Sequence, residues 1–134
     1  MNPFTLVNPP VLGSPRGFSH GLLAPAGSRL LFVAGQTAAD SEGRIGETGF
    51  VPQFEAALTR VLTVVATAGG RPEHVGRMTI FVTDLDAYLE SRTALGETWT
   101  RLMGSHYPAM ALVEVKRLVD VDATVEIEAT AVIP

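Results

Sequence analysis

A strict two-residue alternation near the end of the chain constrains the fold more than any other feature. From Thr124 to Ile133, the apolar residues Val125, Ile127, Ala129, Ala131 and Ile133 fall on one side, and Thr124, Glu126, Glu128 and Thr130 on the other. A β-strand, whose successive side chains point to opposite faces, sorts residues in this way. The segment from Met110 to Arg117 alternates likewise, with Met110, Leu112, Glu114 and Lys116 on one side and Ala111, Val113 and Val115 on the other. An acidic turn, Asp120-Val121-Asp122, joins the two. Read as adjacent strands, they share one apolar face and one mixed face carrying carboxylates. Such a mixed face is where a site is expected.

Upstream, Gly17–Leu23 and Arg29–Gly35 flank a turn at Pro25-Ala26-Gly27-Ser28 and predict a β-hairpin. Pro3, Pro9, Pro10 and Pro15 restrict the first residues to a short edge strand near Phe4–Val7. Helical spacing of Phe50, Phe54, Ala57, Leu58, Val61, Leu62 and Val65 predicts a helix, with Pro52 in its first turn and Gly69-Gly70 at its stop. A strand follows over Arg77–Thr83. Asp84 is then placed to cap a second helix carrying Leu85, Tyr88, Leu89, Arg92, Leu95, Trp99, Leu102 and Met103 at helical spacing, weakened locally by Gly96. The order is β-β-β-α-β-α-β-β. It predicts an α+β two-layer sandwich, a five- to six-stranded mixed sheet with two helices on one face. The other face is left uncovered yet partly apolar, which predicts an oligomer packing sheet against sheet.

Composition narrows the function classes. At 134 residues and 46% hydrophobic, the chain is expected to form one domain over 1–134, with part of its apolar surface buried between subunits. A net charge of −4, with no window collecting Lys and Arg, argues against a nucleic-acid or anionic-membrane partner. There is no cysteine, so disulfides, thiolate catalysis and Cys-ligated metals are excluded. His20, His74 and His106 have no ligand-spaced partners, so no metal site is predicted. No apolar run approaches the ~20 residues of a membrane span, and no signal peptide is visible at the start; a cytoplasmic location is the expectation.

Five segments carry a family resemblance: Gly17-Phe18-Ser19-His20-Gly21, Leu31-Phe32-Val33-Ala34-Gly35-Gln36, Ile80-Phe81-Val82-Thr83-Asp84-Leu85, Tyr107-Pro108-Ala109, and Val125-Glu126-Ile127-Glu128-Ala129-Thr130-Ala131. In order and approximate spacing the chain resembles the RidA (YjgF) family over nearly its whole length. The resemblance implies a chorismate-mutase-like subunit and a homotrimer whose three sheets form a central barrel, with small-molecule clefts between subunits. Active members hydrolyse enamines and imines such as 2-aminoacrylate and 2-iminobutyrate to 2-keto acids and ammonia, without metal or organic cofactor. In them an arginine directly after the Pro-Ala step clamps the substrate carboxylate, and a glutamate in the last strand orients water.

Here the glutamate is Glu126, but Met110 occupies the arginine's place. Leu112 stands where many members have a small polar residue or cysteine, and Phe18 where many have tyrosine. The implied site is thus Glu126 as the catalytic group, with Phe18, Gly35, Gln36, Met110 and Leu112 binding substrate. Arg16 is a candidate substitute anion anchor. Two functions follow as expectations. One is an enamine/imine deaminase-like hydrolase acting on a small imine, enamine or carbonyl compound, weakened by the missing arginine. The alternative is a non-catalytic small-molecule binding or protective protein on the same scaffold.

Overall fold

The alternating C-terminal segment is one of two inner strands of a sheet. In the computed structural model, which describes residues 2–134, the strands are β1 (Thr5–Val7), β2 (Gly21–Leu23), β3 (Arg29–Gln36), β4 (Val75–Val82), β5 (Ala109–Glu114) and β6 (Val125–Ile133). The helices are α1 (Phe50–Thr67), α2 (Leu85–Glu90) and α3 (Arg92–Met103). Four strands form a mixed sheet in the order β3-β6-β4-β5, in which β6 runs antiparallel to both neighbours while β4 and β5 are parallel. The architecture is α+β, as the sequence predicts.

One face of the sheet carries the core. Val125, Ile127, Ala129, Ala131 and Ile133 of β6 are all 6% exposed or less. They join Phe54, Ala57, Leu58, Val61 and Val65 of α1 in one cluster, together with Leu95, Trp99 and Met103 of α3. Fully burying each Val, Leu or Ile contributes about 1.5–3 kcal/mol. The opposite face is open: Phe32 is 76% exposed, Leu30 62% and Val113 42%.

Three details differ from the sequence expectation. The Gly17–Leu23 segment does not form a hairpin with β3; β2 pairs with β1, Leu23 opposite Thr5, and β3 pairs with β6. The six strands therefore divide into a four-stranded sheet and a two-stranded ribbon. Alternation within β3 puts Leu31 and Val33 on the same face as Ala131 and Ala129 of β6, so the core selects β6 as its partner. Second, β5 and β6 are consecutive but not adjacent, because β4 lies between them. A parallel β4–β5 pair needs a crossover, supplied by α2 and α3, and the apolar run of β4 favours an inner position. Third, the second predicted helix is two helices. The Ser91 amide bonds back to Tyr88 O at 3.0 Å, tightening the turn between α2 and α3.

Gln53 is a structural residue that periodicity alone does not reveal. Its side chain is buried on α1, where Nε2 donates to Glu47 O (2.8 Å) and Asp122 O (2.9 Å) and Oε1 accepts from Thr124 N (2.8 Å). One amide thus satisfies three backbone groups from two loops. Gln53→Leu should lower unfolding free energy by about 2–4 kcal/mol, read from urea denaturation, because those groups lose their partners. An unchanged midpoint would contradict the bookkeeping.

His74 is also buried, and its Nδ1 accepts from Arg71 N at 3.0 Å. Burial holds its imidazole below the ordinary value of 6.5. The unfolded chain then binds this proton more readily than the folded one, so the stability it contributes is present above pH 6.5 and is lost as pH falls toward the lower folded value. The denaturation midpoint should drop between pH 7.5 and 5.5, and His74→Gln should flatten that slope.

Candidate functional site

A cleft of about 680 Å³ opens between β5, α3 and the segment that contains Phe18. Its size lies within the usual range for small-molecule sites. The floor comes from the sheet: Ile80 on β4 with Met110 and Leu112 on β5. Met110 lies directly opposite Met78, and Leu112 opposite Ile80, on the helix-covered face. Because β5 is an edge strand, these side chains pack against the core on one side and border the cleft on the other.

The aromatic wall is held by backbone hydrogen bonds. Trp99 Nε1 donates to His106 O at 3.1 Å, and the His106 ring bonds Val75 O at 2.7 Å. Trp99 and Tyr107 stack with centroids 5.5 Å apart and planes 12° from parallel. Phe18, half exposed, meets His20 edge-on at 5.4 Å. Gly96 faces the same space from the middle of α3, and a Cβ there would meet nothing within 4 Å. A glycine in a helix interior costs about 1 kcal/mol relative to alanine. What it gives in return here is an open cleft wall.

Glu126 is elsewhere. In the register it stands opposite Phe81, which stands opposite Val113, on the open face; Ile127 lines up with Ile80 and Leu112 on the covered face. Within one chain, Glu126 and the Met110–Leu112 pair are therefore separated by the sheet. Gly35 does lie with Glu126. It falls in an irregularity of β3 between Val33 and Gln36, and a Cβ at 35 would collide with Oε2 of Glu126 and stand 3.0 Å from Cδ. Gln36 turns toward α1 instead: Arg60 Nε donates to its Oε1 at 3.1 Å, and its own amide donates to Ala34 O at 3.1 Å.

The structure thus brings Phe18, Met110 and Leu112 together, joins Gly35 to Glu126 separately, and ties Gln36 to a helix. Arg16 is exposed and is not part of the cleft lining. Glu114, which shares the Met110 side of β5, is committed to helix capping, its Oε1 accepting from Leu85 N at 2.9 Å. Asp84 caps the same helix through Ala87 N, as the sequence predicts. Among the described residues, no ion pair joins Glu128 to Lys116 or Arg117.

Sequence reasoning missed Arg77, Arg92 and Gly96 as lining residues. Gly96 was the available signal, an unexplained glycine within an otherwise regular helical pattern. Among the described residues, no helix is long and apolar enough to cross a membrane.

Comparison with known proteins identifies the scaffold. Residues 14–133 match the family model described as endoribonuclease L-PSP. A RutC family protein of Synechocystis sp. is 33% identical over 113 residues, covering 83% of this chain and 84% of the relative. Among solved structures, the Rid-family protein YyfB of Yersinia pestis superposes with a TM-score of 0.81 at 27% identity, over 99% of this chain and 100% of that one. E. coli TdcF, solved with bound serine, gives 0.69 at 28% identity, over 91% and 92%. The E. coli YjgF gene product gives 0.69 at 26%, over 93% and 92%. The chain belongs to the endoribonuclease L-PSP family, the Rid (RidA/YjgF) family.

The Gly35–Glu126 contact is directly checkable. Gly35→Ala should leave stability within about 1 kcal/mol, since the obstructing atoms are the free end of a side chain. A crystal structure of the variant should show the Glu126 carboxylate swung off Gly35. An unmoved carboxylate would contradict the packing described.

Proposed function

We propose that the protein is a homotrimer that binds a small imine, enamine or carbonyl compound in the Phe18–Met110–Leu112 cleft, with Glu126 of a neighbouring subunit completing the site. The observation that carries this reading is the cleft itself, an apolar, aromatic-walled cavity of about 680 Å³ at the sheet edge. The uncovered face with Phe32, Leu30, Phe81 and Val113 supports assembly, because exposed apolar surface of this kind marks an interface. Glu126 lies on that face. It can meet a Met110 cleft only if a second copy presents it there.

In the hydrolytic form of the reading, Glu126 orients a water molecule, accepts its proton as oxygen adds to the C=N carbon, and passes that proton to the nitrogen. The resulting carbinolamine then gives its hydroxyl proton to the nitrogen through the same carboxylate, and the C–N bond breaks as the C=O bond forms, releasing ammonia and the keto compound. Binding energy from the apolar cleft would hold the substrate body, while a carboxylate contact at position 110 is absent. Serine bound to the relative TdcF supports a small polar metabolite as a ligand class for this scaffold.

A second reading, a binding or protective protein without turnover, is favoured by the methionine at 110. Incubation with 2-iminobutyrate generated in situ separates the two. Hydrolysis should release ammonia, and Glu126→Ala should reduce the rate roughly 10²–10⁴-fold, the span typical of a general base. Wild-type protein that sediments as a trimer yet releases no ammonia would leave the binding reading. For assembly, Val113→Asp should dissociate the trimer while the monomer stays folded, because Val113 is on the open face and not in the core. A wild-type monomer at micromolar concentration in sedimentation would overturn the trimer.

A further inference from the structure

The cleft carries a charge bias that its apolar floor conceals. Arg92 lines it from α3, and among the described residues no aspartate or glutamate does. This holds in a chain with 14 acidic residues against 10 basic ones. Glu114, the acid nearest to Leu112 along β5, is already occupied by the Leu85 amide. Arg92 sits at the start of α3, one turn before Gly96. It spends one donor on the turn beneath it, Nε to Leu89 O at 3.2 Å, and forms no ion pair among the described residues. The remaining guanidinium donors are free to accept an anion in a planar, two-pronged geometry.

We infer that the cleft takes a small carboxylate with an aromatic or branched apolar body, the anion held by Arg92 and the body lying against Trp99, Met110 and Leu112. The assignment rests on the reading of the cleft as a ligand site, and adds the class of ligand and its anchor. Arg92 enters from the helix side of the cleft, whereas position 110 is on the strand opposite. The ligand would therefore lie with its charged end toward α3 and its body toward β5. Gly96 leaves room for that body beside the helix. Small, strongly hydrated acids have little to offer the Met110–Leu112 floor, so the apolar body contributes as much to selection as the charge does.

Trp99 is the only tryptophan in the chain, so its emission reports binding directly. Titration with 3-phenylpropionate should change that emission saturably, and the neutral 3-phenylpropionamide should bind roughly tenfold or more weakly. Arg92→Gln should remove this preference for acid over amide while leaving the amide's own affinity unchanged. Arg92 is exposed, so the substitution spares the core. Gly96→Leu, which meets no neighbour at Cβ and improves the helix, should abolish binding of both probes in a folded protein. Equal affinity for acid and amide in the wild type, or a preference that survives Arg92→Gln, would overturn the inference. Either result leaves ammonia release untouched as a measure of hydrolysis. Conversely, acid-selective binding without ammonia release would support the inference and reject only the hydrolytic reading.

Discussion

Everything in this structure depends on the period-two alternation of β6. Because β6 is hydrogen-bonded to β3 and to β4, Val125, Ile127, Ala129, Ala131 and Ile133 together face the helices while Glu126 and Glu128 face away. A slip of one residue would bury Glu126 and Glu128 and expose Val125 and Ile127, at a cost far beyond the stability of a small domain. The same constraint divides the chemistry of the chain. Glu126 belongs to the open face, and the Phe18–Met110–Leu112 cleft belongs to the covered side.

That division is the reason the proposed site is drawn from two copies of the chain. The open face carries Glu126, which has no ion-pair partner among the described residues, beside Phe81 and Val113, and Gly35 clears space for its carboxylate. The covered side carries an aromatic cavity lined by Arg92 and by no acid among the described residues. The sheet keeps the two apart within one copy. In the proposed trimer, sheet-to-sheet association would remove the exposed apolar face from water and bring the halves within reach.

Much of this was legible in the sequence, for definite reasons. The α1 stripe and the two faces of β6 follow from periodicity, which reports the face a residue occupies. Periodicity does not report which strand is the neighbour. Hence β2 and β3 looked like a hairpin although each has another partner, and β5 looked adjacent to β6 although β4 intervenes. The site shows the same limit. Phe18, Met110 and Leu112 do converge, and Gly35 does lie at Glu126, but Gln36 is drawn away by Arg60, an i-to-distant contact no local pattern encodes. Arg92 read as one more position on a helical face, and only the fold sets it against the cleft.

The central claim is that Glu126 serves the cleft of another copy and not its own. The absence of native cysteine makes this testable by placed thiols. Glu126→Cys and Met110→Cys proteins, mixed under conditions that exchange subunits and treated with a short bismaleimide, should give covalent dimers on a denaturing gel, well above the yield of either protein alone. A Glu126→Cys/Met110→Cys double variant that links within single chains, with no dimer from the mixture, would contradict the account.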